Sequence, residues 1–260
     1  TNNKQQTTNN KQMKNLRFPI FIICYLLLSQ SCTRIVYVPN MQNVPLLQEK
    51  NEVRATLGVS NFQGAYAVTN NIGVMINGQF RNGGGGPESS FQWFQELAKT
   101  KSIEGGVGYF KPFNGIGVFE IYGGGGIGSI SFDEYENYLD KYSAATSRFF
   151  IQPSVGISNK YLDIAFSLRF VSLKFYNADT SEYVYGSSSF NNEENVDLNE
   201  LDKHDYTFIE PALTCRFGWK YVKFHLQAVF PNQLNNAPIN YNKSSLFAGV
   251  HFNIAQRNKE

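Results

Sequence analysis

Cys32 is the residue whose surroundings point most directly to a reaction. It follows Ser29-Gln30-Ser31, so small side chains stand one and three residues before it, the spacing that signal peptidases require. The arrangement resembles a bacterial lipobox, in which the thiol takes a diacylglycerol and becomes the mature N-terminus. Each buried methylene then holds the chain to a membrane by about 0.8 kcal/mol. Ser29 stands where such motifs usually carry Leu, and Gln30 where they carry a small residue; the other reading is ordinary signal cleavage at the same bond, leaving a free thiol. Other chemistry is thinner. Gly123-Gly124-Gly125-Gly126-Ile127-Gly128 satisfies G-x-G-x-x-G, but a dinucleotide site needs a following helix and an acid about 20 residues on, and the flanks here are strand-like on both sides. His204, His225 and His251 are the only histidines. Ser167 and Asp163 are conceivable neighbours of His225, yet no spacing assembles a Ser-His-Asp set, which is defined by geometry. The acidic stretch 177–205 lacks the residue order of a calcium loop, and Cys32 with Cys215 gives neither a disulfide framework nor a metal spacing. The expectation is a non-enzymatic chain with no cofactor and no metal, and the near-neutral net charge of +2 argues against nucleic acid as a partner.

The elements that carry these residues begin with a segment to be removed. Met13-Lys14-Asn15-Leu16-Arg17 is basic and is followed by the apolar run 18–28, about eleven residues, inside the signal-peptide range and short of the ~20 needed for a transmembrane helix. Residues 1–12 are set aside as a polar leader, 13–31 as the signal peptide, 32–50 as an anchor linker, 51–254 as a β-barrel and 255–260 as a polar tail. The linker carries Pro39 and Pro45 and shows no period. Beyond it alternation dominates. In Leu162-Asp163-Ile164-Ala165-Phe166-Ser167-Leu168-Arg169-Phe170 every second residue is large and apolar and those between are small or charged, the mark of a strand with one oily and one polar face. The same pattern recurs from Val53, Gln63, Ile72, Ile103, Gly115, Phe149, Ile209, Val222 and Leu246, giving about ten strands, and closed bacterial barrels have an even number.

The connections choose the class. Tight links at 69–71, 111–114, 159–160 and 219–220 alternate with long polar segments at 81–101, 133–147, 177–205 and 231–243, the short link 60–62 being the one exception on the long side. That is the plan of a closed antiparallel up-and-down transmembrane β-barrel, with short periplasmic turns and long outer loops. A soluble barrel would alternate too, but with a densely charged exterior and an apolar lumen. Alternation puts Glu52, Arg54, Glu104, Glu120, Asp163, Arg169, Glu210, Arg216, Lys223 and His225 on the inner face. Charges persist in such a lumen when paired and hydrogen-bonded, so the set reads as a network that fills a narrow bore. On that reading Phe166→Arg should be costly and Ser167→Arg mild. A repeated Phe-Ile-Gln/Glu-Pro at 150–153 and 208–211 suggests duplicated hairpins, each proline expected where a strand begins or bulges. Phe91, Phe94 and Leu97, and Tyr135, Tyr138 and Leu139, could form amphipathic turns on the rim.

Together with Cys32, the residues Val38-Pro39-Asn40, Val44-Pro45-Leu46-Leu47, Glu49-Lys50, Ala65-Tyr66-Ala67-Val68-Thr69 and Gly73-Val74-Met75 resemble the uncharacterised outer-membrane β-barrel-like lipoproteins of the Bacteroidota. The resemblance implies an outer-membrane location, outer-membrane lipids as surroundings, an envelope protein as partner, and no reaction. The role expected is a structural or adaptor subunit acting through loops and rim. Two alternatives are a narrow channel for small solutes and a lipid-anchored soluble barrel that binds an apolar ligand.

Overall fold

Strand by strand, the inward residues are buried and the outward ones bare. In a computed structural model that describes residues 35–82, 98–132, 142–180 and 198–255, Asp163, Ala165, Ser167 and Arg169 are buried while Ile164, Phe166 and Phe170 are exposed. The wall consists of β1 (Val53–Gly58), β2 (Asn61–Ala67), β3 (Ile72–Arg81), β4 (Lys99–Phe113), β5 (Gly117–Phe132), β6 (Tyr142–Ser158), β7 (Leu162–Thr180), β8 (Asp205–Gly218), β9 (Val222–Val229) and β11 (Ser245–Ala255). Each pairs antiparallel with its neighbours, and β11 returns to β1 through Val53↔Ala255 and Gly58↔Gly249. The result is a closed up-and-down barrel of ten strands. A two-residue β10 (Asn232–Gln233) rests on β8 above the point where β9 leaves it.

Several strands outrun the alternation read from sequence. β6 starts at Tyr142 and β7 continues to Thr180; their outward positions beyond the apolar stretch are Ser143, Ala145, Ser147, Ser172 and Lys174, which hide the oily period while the ladder runs on through one register shift between Ser143 and Ala145. The turn expected at 111–114 lies at 114–116 instead. β4 passes beyond the end of β3, whose last contacts are Tyr109↔Ile72 and the Phe110 N–H on Asn71 O, so Pro112 has no partner on that side to disappoint. Asn114 and Gly115 turn the chain with φ of 50° and 77°, values that Asn and Gly tolerate. The prolines of the repeat sit inside strands, at neither a start nor a bulge. The β6–β7 ladder skips Gln152 and Pro153, and Pro211 faces the break between β9 and β10, so each occupies a gap where no donor is needed.

The exterior is a belt of aliphatic and aromatic side chains on every wall strand, among them Leu57, Phe62, Val74, Val107, Ile121, Phe149, Phe166, Leu213, Phe224 and Val250. On β6 the apolar stretch 149–157 is about nine residues, roughly 30 Å along the strand and about 23 Å in height at a tilt of about 40°. At the turn end it is edged by Tyr66, Tyr109, Tyr161, Trp219 and Tyr221, with Lys160 and Lys220 each 5.2 Å from the ring of the following tyrosine. At the loop end stand Phe80, Tyr176 and the exposed Lys174–Asp205 pair at 2.9 Å.

The core lies inside the barrel. Residues 35–47 are all buried and run through the lumen as an extended strap. This is the stretch expected to be an anchor linker; it is extended, as expected, but enclosed rather than free. The strap joins an apolar cap at the loop end (Ile130, Tyr142, Leu173, Tyr206, Phe208) to an apolar cluster at the turn end (Val44, Leu46, Leu47, Phe110, Val118). Leu201, from the short 3-10 helix Leu198–Lys203, is fully buried in the cap. Residues 13–32, the two amphipathic stretches and most of the acidic loop lie outside the described residues.

Candidate functional site

All ten side chains expected in the lumen are there, each at most 2% exposed. They do not form one cluster but three tiers along the axis, separated and bridged by the strap. Nearest the loop end, the Glu104 carboxylate takes Arg148 at 3.0 Å and Arg169 at 3.4 Å. It also accepts from Asn40 at 2.5 Å and Asn77 at 3.3 Å. Arg169 Nε donates to Gln152 at 2.8 Å, and its guanidinium lies 4.7 Å from the Phe150 ring. In the same tier the Tyr37 hydroxyl donates to Glu210, and Tyr37 stacks on Phe208 with centroids 4.4 Å apart.

The middle tier is held by neutral groups. Glu120 accepts the Leu46 N–H and the Ser154 hydroxyl, both at 3.0 Å. Arg216 donates to the Val44 carbonyl at 2.7 Å and to Nδ1 of His225 at 3.0 Å. An imidazole that accepts from a guanidinium at Nδ1 carries its proton at Nε2. His225 therefore meets neither Ser167 nor Asp163 as a triad would require. Ser167 donates instead to Gln42 at 2.7 Å, and Asp163 takes Lys223 at 2.6 Å. The third tier, at the turn end, contains that pair, the more distant Arg216 contact at 3.9 Å, and Glu52 with Arg54 at 2.6 Å. Among the described residues no group of three or more His, Cys, Asp or Glu side chains is placed to hold a metal ion.

Tight apposition of the walls depends on glycine. A Cβ on Gly124 would stand 2.2 Å from the Gly105 carbonyl and 2.6 Å from the Phe150 ring. The run that mimics a nucleotide motif is thus the flat wall against which lumen side chains lie, paired residue by residue with β4 as Gly105↔Gly125 and Gly106↔Gly124.

The strap's amides and carbonyls complete the wall. Gln42 alone accepts from Ser167, donates its backbone N–H to Gln227 at 2.7 Å and donates its side chain to the Glu210 carbonyl at 2.7 Å. Asn43 donates to Asn77 at 2.9 Å, and its carbonyl accepts from Gln152 at 2.7 Å. Sequence reasoning missed these partners and Arg148, and it left His251, which alternation puts on the polar face of the last strand, out of the network. Arg148 lies one residue before the point where the alternation of β6 was first read. His251 stands on the inner face, 2.8 Å from the Thr56 hydroxyl. Ser167 is fully enclosed and donates to Gln42 of the strap, so Ser167→Arg is expected to be costly rather than mild: the alternation gave no sign of the strap that occupies the space an arginine would need.

Leu46 is the strained point of the strap. It follows Pro45 and has φ of 53°, a left-handed value that costs a branched residue about 1–3 kcal/mol. Its N–H is fixed by Glu120 and its side chain is packed among Ala67, Phe110 and Val118. Glu120→Gln keeps the shape but leaves one acceptor oxygen for two donors. It should lower stability by about 1–3 kcal/mol, read as a lower melting temperature in detergent. An unchanged melt would mean that packing alone holds the bend.

No family model, no curated protein and no solved structure matches the chain.

Proposed function

We propose that this chain is an outer-membrane β-barrel, lipid-modified at Cys32, which performs no catalysis and serves as a structural or adaptor subunit of the bacterial envelope through its loops and rim. The observation that carries this reading is the exterior. An apolar belt present on all ten strands, about 23 Å high on β6, is far larger than the exposed patches soluble monomers carry, and it agrees with the ~25 Å band of outer-membrane barrels. The tyrosines, tryptophan and lysines at its turn-end edge are the side chains that settle at a membrane interface. The resemblance to lipoproteins of the Bacteroidota points the same way. The lumen supports a structural rather than a conducting role, since the strap and the ion pairs of the wall lie along its axis. An apolar-ligand barrel would need an empty apolar bore, and here that space is taken by the chain's own residues.

Phe166 tests the membrane half of the proposal. It is 51% exposed near the middle of the belt, so Phe166→Arg should cost about 2–4 kcal/mol of assembly, while Phe166→Leu should be nearly silent. The readout is the compact, fast-migrating band that a closed membrane barrel gives in SDS before boiling. A Phe166→Arg protein that keeps this band and stays soluble without detergent would end the membrane reading.

A further inference from the structure

The direction in which the strap crosses the barrel decides where its N-terminal end comes out. At the loop end, the Ile35 carbonyl accepts from the Ala98 N–H at 3.2 Å, just before β4 begins. The Val36 and Tyr37 N–H groups share the Asn240 carbonyl, and Tyr37 forms a parallel bridge with Tyr241, just before β11 begins. From there the strap descends in step with β6. The ring of Tyr37 lies by Arg148, the carbonyl of Asn43 takes Gln152, and the side chain of Gln48 donates to the carbonyl of Ser158. The chain leaves at the turn end, where the Asn51 N–H donates to Ala67 O and β1 starts opposite Tyr66 and Ala255. Residues 35–48 thus cross the whole lumen, up to about 46 Å of extended chain. Cys32 precedes Ile35 by only three residues, a backbone reach of at most about 10 Å. Three residues are too few to return along a belt about 23 Å high to the turn-end rim.

We propose that the Cys32 acyl anchor lies in the leaflet beside the long loops, the outer leaflet of the outer membrane, because the N-terminus is delivered there through the protein's own lumen. This rests on the lipid-anchored outer-membrane reading above and on long loops facing outward. A lipoprotein whose linker ran outside the wall, or along the periplasm, would be held by the inner-facing leaflet at the turn end. Here the strap excludes that arrangement by length alone, and it gives the anchor and the loops one face of the membrane on which to meet partners.

The test uses single cysteines in a Cys215→Ser background and a membrane-impermeant maleimide. Arg34→Cys and the loop-end Asn82→Cys should label on intact cells, and the turn-end Lys160→Cys only after the outer membrane is opened. Labelling of Arg34→Cys together with Lys160→Cys overturns the proposal. Equal labelling of Asn82→Cys and Lys160→Cys removes the membrane reading and the leaflet with it. Palmitate incorporation that persists in Cys32→Ser, or is absent from the parent, removes the anchor. The entry point is tested separately in purified protein, where Tyr37→Cys with Tyr241→Cys should form a disulfide, since bridged backbones satisfy its geometry. Its failure to form under mild oxidation, in a barrel that keeps its compact band, overturns the threading itself.

Discussion

Replacing residues 36–47 with a Gly-Ser stretch of equal length is expected to abolish the compact, heat-modifiable barrel or to leave it open to water. The strap is a partner of inward polar groups in the loop-end and middle tiers. Without it Glu104 loses Asn40, Glu120 loses the Leu46 N–H, Glu210 loses Tyr37, and Arg216 loses the Val44 carbonyl. Each buried group left unsatisfied costs about 1–3 kcal/mol, more when it is charged. Burial of Val36, Met41, Val44, Leu46 and Leu47, all at most 2% exposed, is lost as well, at about 1.5–3 kcal/mol for each large side chain. Such a sum rivals the ~5–15 kcal/mol that holds a folded domain together. A barrel that survives must hydrate its lumen instead, and planar-bilayer recordings should then show conductance that the parent lacks. A variant that keeps the parental melting temperature and remains silent in the bilayer would mean that the strap contributes nothing.

Glu104→Ala is expected to be the most damaging single change in the wall, at about 3–5 kcal/mol, because it strands two guanidinium groups at once. Arg148 and Arg169 are 5% and 0% exposed, so neither can turn to water. Coulombic attraction explains only part of the effect; the larger part is the cost of a buried charge without its counter-charge. Two comparisons separate these. Arg169→Met alone leaves Glu104 with Arg148 and should cost less. Replacing Glu104, Arg148 and Arg169 together with apolar residues of similar volume should recover most of the loss, since a whole buried network can be exchanged for packing. Thermal melts in detergent decide the matter, and a Glu104→Ala protein melting with the parent would show that the tier is hydrated.

The wall was legible because its rule is local. Within each strand where it is visible, alternation fixes a residue's face without reference to distant partners, and the structure buries Glu104, Asp163 and Arg216 on the inner face it gave them, although the sequence holds no hint of which charges meet. The strap was not legible because it has no period: each contact it makes is with a residue remote in sequence, such as Gln42 with Gln227 or Asn40 with Glu104. One signal was present. Between Arg34 and Glu49 there is no charged residue, and Ile35, Val36, Val38, Met41, Val44, Leu46 and Leu47 are interleaved with Asn and Gln. A solvated linker is rich in Gly, Ser or charge; apolar groups mixed with amides suit a segment that must satisfy its backbone inside a wall. Arg148 was missed for a smaller reason, since the small outward residues above it hide the period of β6.

A linear chain could enter a shut ring only end first, sliding its stripped amides past buried charges, whereas a strap laid down while the sheet is open meets them one by one. The strap then serves as a mandrel around which the wall is wound. The joint that completes the winding is β1 against β11, where β1 offers only six residues and the register slips between Val53 and Arg54. Once that joint is closed, withdrawal of the strap breaks its hydrogen bonds to Glu104, Glu120, Glu210 and Arg216 together. The connectivity thus favours one order of assembly, with the strap captured first and the first and last strands zipped last.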